Sequence, residues 1–210
     1  MTQPTLLWFR RDLRLEDNAA LLAACAAGGP VVPVFIYDET VERLGAAPLF
    51  RLGLSIEALN KQLETLGSKL ILRRGNALDV LKSLIAETGA TALHWSRAYD
   101  PEAIERDKAV KAAIGADGLT VQSHVGHIMF EPWAVETKTG GFYRVYTPFW
   151  NSVKGRDVPA PQPAPAKIPS PDDWPVSDRL SDWKMEAAMN RGADVLRPYC
   201  TVGGIKAHYR

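Results

Sequence analysis

A chain of 210 residues with 46% apolar residues, 23% charged residues and a formal net charge of +1 has a soluble, globular composition with ample material for a core. The near-neutral charge argues against a lone nucleic-acid binder, no apolar run approaches a membrane span, and the opening Met1-Thr2-Gln3-Pro4 lacks a secretory pattern. The two cysteines, Cys25 and Cys200, stand in no motif, which fits a reducing, cytoplasmic setting.

Strand and helix signals alternate up to about residue 125. Residues 5–9 form an unbroken apolar run, the pattern of a strand covered on both faces. A loop with Arg10, Arg11, Asp12 and Arg14 follows. Asp17 or Asn18 caps the next helix, Leu21, Leu22 and Cys25 give it an apolar stripe, and Gly28-Gly29 ends it. The second strand spans residues 31–37. A long helix over residues 48–65 carries Leu49, Leu52, Ile56, Leu59, Leu63 and Leu66 on one face, and Gly67 stops it. Residues 70–72 form the third strand. Asn76 caps a helix that ends at Gly89, and residues 92–95 form the fourth strand. Pro101 opens a helix to about residue 114, and residues 119–123 form the fifth strand. This rhythm predicts an α/β fold: a Rossmann-like, doubly wound, five-stranded parallel sheet with helices on both faces.

Beyond residue 125 the pattern changes. Residues 133–137 and 142–146 read as two strands joined through Lys138-Thr139-Gly140-Gly141, and Thr147-Pro148 reads as the cap and first residue of a short helix. Residues 158–175 hold seven of the 15 prolines, a composition that favours extended backbone lying along a surface. We therefore divide the chain into a domain over 1–157, a Pro-rich linker over 158–176 and a tail over 177–210. Residues 180–193 read as loosely helical, and 202–209 read like the start of an element. A tail of this size is too small for an independent core, so either it folds back on the first domain or a second domain is missing.

Ligands of open α/β sheets bind beyond the carboxyl ends of the strands. Arg10 and Arg11 lie there, with Phe35 and Asp38 after the second strand, Arg51 early in the long helix, and Asp100 and Glu102 after the fourth strand. Aromatic walls with a few charges suit a planar heteroaromatic ligand. In the plainer alternative, Asp38 and Asp100 only start turns, Arg51 is a solvated helix residue, and the arginines form a local web with Asp12, Glu16 and Asp17. The loop has no GxGxxG or GxxxxGK[ST] phosphate cradle. His94, His124, His127 and His208 stand at no metal-ligand spacing and read as structural.

Residues 8–21, beginning Trp8-Phe9-Arg10-Arg11-Asp12-Leu13-Arg14-Leu15-Glu16-Asp17-Asn18, resemble the opening signature of the DNA photolyase/cryptochrome family. Tyr143-Arg144-Val145-Tyr146-Thr147-Pro148-Phe149-Trp150 is similar to the family's Y-x-V-(F/Y)-T-P-F-(W/K). Trp95 and the stretch from Tyr99 to Asp107, with its Arg106-Asp107 pair, give a third match. The resemblance implies the N-terminal antenna domain of a deoxyribodipyrimidine photo-lyase. In such an enzyme, a helical domain binds FAD, takes up damaged DNA and splits cyclobutane pyrimidine dimers.

It further implies that the FAD-binding and lesion-binding residues lie beyond residue 210. No catalytic residue is then assigned here, and the chain alone is inactive, monomeric, of little DNA affinity and not membrane-bound. For the antenna pigment, the family's folate contacts align with Leu44, Glu102 and Ala103, so the methenyltetrahydrofolate pattern is mostly missing. Ala47-Pro48-Leu49-Phe50-Arg51 is similar to the entry used by deazaflavin-binding members, which favours a deazaflavin-type pigment. The competing readings are a cryptochrome light receptor without repair activity and a stand-alone nucleotide-binding α/β protein.

Overall fold

Five parallel strands lie in the order β3-β2-β1-β4-β5, running from an edge strand on one side of the first apolar run to an edge on the other. The computed structural model describes residues 3–200, so His208 and the segment 202–209 lie outside the described residues. The elements are β1 (Thr5–Phe9), α1 (Ala19–Ala26), β2 (Val31–Tyr37), α2 (Glu39–Glu42), α3 (Ala46–Thr65), β3 (Ile71–Arg74), α4 (Ala77–Thr88), β4 (Ala92–Ser96), α5 (Pro101–Ala116), β5 (Thr120–His124), α6 (Tyr146–Val153) and α7 (Arg191–Leu196). The α/β parallel sheet expected from the sequence is the sheet observed. The short helix α2, begun by Asp38, is an addition.

Local chemistry sets the helix ends. The Asn18 side chain accepts from the Leu21 N–H, Asn76 from Leu78 and Asp79, and Asp100 from Ala103 with Pro101 behind it. Gly89 closes α4 at φ 67°, a left-handed turn that glycine adopts without steric cost.

All of β1 and β2 is buried, and alternate side chains feed two cores. Leu7 and Phe9 enter one face with Leu21 of α1 and Ile56, Leu59 and Leu63 of α3. Leu6 and Trp8 enter the other with Leu81 and Leu84 of α4 and Val110 and Ile114 of α5. Trp8 and Trp95 meet edge to face there, 5.9 Å between centroids.

The Pro-rich segment and the residues after it pack on this sheet. Ile168, Trp183 and Met185 are buried in the first core, with Trp183 edge-on to Tyr37 at 5.2 Å, and Trp174 packs against the second. Between them the chain crosses the open edge of β3. Ser177 Oγ accepts from the Leu72 N–H, the Asp178 N–H donates to the Leu72 carbonyl, and Arg73 Nε donates to the Val176 carbonyl. An exposed edge strand is thereby covered. At the far end of the strap, the Asp17 N–H donates to the Gln162 carbonyl, with Asp17 held at φ 50°.

Two expectations need correction. Residues 133–137 and 142–146 form no hairpin strands: Pro132–Ala134 is a 3-10 turn, and only the turn itself survives, with the Thr137 N–H donating to Gly141 and the Gly140 N–H to Thr137. Two strands with no sheet or helix to cover them are marginal in water. The following helix starts at Tyr146, one residue before the expected cap, with no side-chain cap. Pro148 is tolerated there because first-turn N–H groups have no intrahelical partner.

His94 on β4 and His124 on β5 have near-parallel rings joined Nδ1 to Nε2 at 2.8 Å. That bond needs one ring nitrogen as acceptor, so it exists only while at least one ring is neutral. Burial, then the charges of His94 and Arg97, push His124 from 6.5 down to about 4. Between those values the unfolded chain binds a proton that the folded chain does not. Stability is therefore expected to fall as pH drops from 6.5 to about 4 and to flatten below. Urea midpoints measured across that window should show the slope, and His124→Gln should reduce it. Trp183→Ala should cost about 3–5 kcal/mol of unfolding free energy, as for other buried tryptophans; a loss under about 1 kcal/mol would mean that the strap is not part of the core.

Candidate functional site

The loop leaving β1 folds on itself before reaching outward. Buried Asp12 accepts from the Arg10 N–H, and Asn18 Nδ2 donates to the carbonyls of Asp12 and Arg14. The arginines do not form the expected local web with the carboxylates of Asp12, Glu16 and Asp17. Arg14 donates to the backbone carbonyls of Glu16, Asp17 and Gly126. Arg11 lies 3.5 Å from Asp100, and both groups are solvated. Arg10 turns inward.

Arg10 Nη1 donates to both carboxylate oxygens of Asp107 on α5, at 2.7 and 2.9 Å, and Nη2 donates to the Ser96 carbonyl at the end of β4. Asp107 also accepts from the indole N–H of Trp95 at 3.0 Å and from Arg106. Arg106 in turn donates to Asp38 at 2.6 Å, while Asp38 Oδ1 caps α2. The guanidinium carbons of Arg10 and Arg106 lie 4.8 and 4.9 Å from the Trp8 ring centroid. Burial lowers the Arg10 pKa below its ordinary value, and Asp107 opposes that shift. A chain of charges thus links the carboxyl ends of β1, β2 and β4 to one turn of α5.

Beside this chain a cleft opens at the rim. Phe35, Ile36, Val41, Leu44, Leu52 and Ala103 supply apolar lining, and Arg10, Arg11, Asp38, Asp100, Arg106 and His127 supply polar groups. Of the residues singled out from sequence, Arg10, Arg11, Phe35, Asp38 and Asp100 come together here. Arg51 and Glu102 do not: both are exposed and absent from the lining, and Glu102 pairs with Arg43 at 2.7 Å. Their neighbours Leu52 and Ala103 line the cleft instead, because one residue along a helix is a turn of about 100°.

Sequence reasoning missed Arg106 and His127. Arg106 had only the Arg106-Asp107 pair as a signal, and His127 had none. Burial, followed by the charges of Arg10, Arg14 and Arg11, lowers the His127 pKa against the opposing pull of Asp12.

The loop carrying His127 is clamped over the end of β4. Arg97 pairs with Glu131 and stacks on Trp133, and the Tyr99 hydroxyl donates to Glu131 at 2.9 Å. Burial and Glu131 push that phenol up to about 12. Gly126 has to be glycine in this backbone: a Cβ would sit 2.6 Å from Ser96 Oγ. The cleft therefore has a fixed floor, apolar walls and charges at its mouth, which suits binding and orienting a planar ligand with a polar edge. Among the described residues no group of three or more metal-ligating side chains gathers.

The family model described as DNA photolyase matches residues 5–167. A deoxyribodipyrimidine photo-lyase of Agrobacterium fabrum is 48% identical over 185 residues, covering 88% of this chain and 39% of that protein. Cryptochrome-2 of Arabidopsis thaliana is 36% identical over 154 residues, covering 71% of this chain and 25% of that protein. The crystal structure of a bacterial class III photolyase from Agrobacterium tumefaciens superposes with a TM-score of 0.85 at 47% identity, over 88% of this chain and 39% of that one. The chain thus spans about two fifths of the photolyase and a quarter of the cryptochrome.

Removing one partner of a buried ion pair leaves the other charged and unpaired. Asp107→Ala is therefore expected to cost about 3–5 kcal/mol of unfolding free energy, read from urea denaturation. Asp107→Asn, which keeps the shape and an acceptor, should cost less. Equal and small losses for both would deny Asp107 its bracing role.

Proposed function

The chain belongs to the DNA photolyase family, and on that premise we propose that it works as the pigment-holding N-terminal domain of a deoxyribodipyrimidine photo-lyase. The observation that carries the reading is the cleft at the sheet rim, with apolar walls and the buried Arg10 guanidinium, whose Nε has no hydrogen-bond partner among the described residues. An aromatic pigment fits that combination. The walls take its faces, and Arg11, Arg106, Asp100 and His127 meet its polar edge. When bound, the pigment supplies light absorption; the chain's own residues hold it, orient it and keep water from its inner face.

A deazaflavin-type pigment is favoured over methenyltetrahydrofolate. Leu44 and Ala103 line the cleft as apolar groups at positions where the folate pattern calls for polar contacts. FAD and damaged DNA are assigned to the part of the longer relatives outside the matched region, and the chain alone is expected to repair no dimers and to bind DNA weakly. In this reading residues 1–157 hold the pigment, 158–176 connect, and 177–210 lead toward a helical flavin domain. Photolyase is preferred to cryptochrome because the identity is higher with the Agrobacterium enzyme, 48% against 36%.

The test is spectroscopic titration of the purified chain with an 8-hydroxy-deazaflavin and with methenyltetrahydrofolate. The deazaflavin is expected to bind more tightly, and Leu44→Trp, which fills the cleft, should weaken it about tenfold or more, equivalent to about 1.4 kcal/mol. Arg51→Ala should have less effect than Leu44→Trp. Tighter folate binding would reverse the pigment choice, and binding of neither would remove the antenna role from this cleft.

A further inference from the structure

Two ion pairs join the walls of the cleft. One wall is the segment from Asp38 through α2 to Leu44, and the other is the first two turns of α5. At the base, Asp38 meets Arg106 at 2.6 Å, with side chains 3% and 13% exposed. At the mouth, Arg43 meets Glu102 at 2.7 Å, with side chains 62% and 69% exposed. Glu102 and Arg106 lie one turn apart on α5, so the pairs are successive rungs between the same two walls. The rungs differ in strength. Breaking a buried pair strands a charge away from water, whereas an exposed pair contributes little and is screened by salt.

The wall that carries the outer rung is thin. α2 is a single turn of four residues, and Val41 is its one buried residue. Asp38 Oδ1 anchors its start by accepting from the Thr40 and Val41 N–H groups, and Gly45 ends the segment at the entry to α3.

We propose that residues 39–45 form a gate over the cleft, with the Arg43–Glu102 pair as its latch and the Asp38–Arg106 pair as its fixed pivot. The proposal rests on the reading of the cleft as a ligand site, whichever pigment it takes. Neither Arg43 nor Glu102 lines the cleft, so their part is in admission and release and not in contact with the ligand. Val41 and Leu44 line the cleft from the gate and Ala103 from the opposite wall, so parting the latch widens the apolar slot between them. Glu42 pairs with Arg74 of β3, on the side of β2 away from β4 and α5, and that pair can persist while the gate is open. A weak outer pair opens often, and the deep pair returns the wall to register when it shuts.

The test is stopped-flow kinetics of the 210-residue chain with 8-hydroxy-deazaflavin and with methenyltetrahydrofolate. Arg43→Gln and Glu102→Gln should each speed association and release about threefold and leave Kd unchanged, because a gate alters both rates equally. Combining them should add nothing, since either change alone breaks the same pair. The exchange of Arg43→Glu with Glu102→Arg should restore the original rates. Raising the salt concentration should speed release from the original chain and not from the glutamine variants. A thiol placed by Val41→Cys, in a chain with Cys25→Ser and Cys200→Ser, reports opening without a ligand. Its labelling by a maleimide should quicken about threefold when Arg43→Gln is added.

Normal binding with unchanged rates in the variants overturns the gate alone. A change in release without a matching change in association, seen as a shift in Kd, makes the pair a ligand contact and overturns it too. Labelling of the thiol at one rate with and without Arg43→Gln removes the latch. Failure of both pigments to bind any variant overturns the cleft reading, and the gate with it.

Discussion

The Asp107 carboxylate holds the rim of the sheet together. It accepts hydrogen bonds from Arg10 after β1, from the Trp95 indole on β4 and from Arg106 one residue away on α5. Arg106 carries the link on to Asp38 after β2. A buried ion pair contributes little net stability, since desolvation offsets most of the attraction. Its value here is geometric. Three elements meet at one carboxylate and a fourth joins through Arg106, so the ends of β1, β2 and β4 cannot shift independently. The two guanidinium groups against Trp8 bring the hydrophobic core up to the edge of the network, leaving no slack layer between core and cleft.

Much of this was legible in the sequence, and the limits have physical reasons. Strands and helices repeat with local periodicity, and caps such as Asn18, Asn76 and Gly89 act within a few residues, so a linear reading finds them. The partner of Arg10 lies 97 residues away, and no local pattern announces it. Arg10, Phe35, Asp38 and Asp100 reached the cleft because strand ends are fixed by the sheet. Arg51 and Glu102 sit on helices, where an error of one position rotates the side chain out of the site. The expected hairpin failed for the opposite reason: its turn chemistry was sound, but no surface was available to stabilise the strands.

The helices cover both faces of the sheet incompletely, and the strap completes the cover. Ile168, Trp183 and Met185 fill the face behind α1 and α3, and Trp174 reaches the other. A proline-rich composition suits such a strap, because residues without an N–H to satisfy, and with little backbone freedom to lose, can run over a surface in extended form. The composition that marks a connector also marks a good lining for a sheet edge.

That lining has a consequence for biosynthesis. Leu72 meets Ser177 across 105 residues and Asp17 meets Gln162 across 145, so the contacts that seal the sheet form only after a long further stretch of chain has left the ribosome. Until then β3 presents a bare edge, the feature most prone to pairing with a neighbouring chain. The nascent domain is therefore most vulnerable in the interval between the emergence of β3 and that of the strap, and the speed of translation through the prolines sets how long that interval lasts.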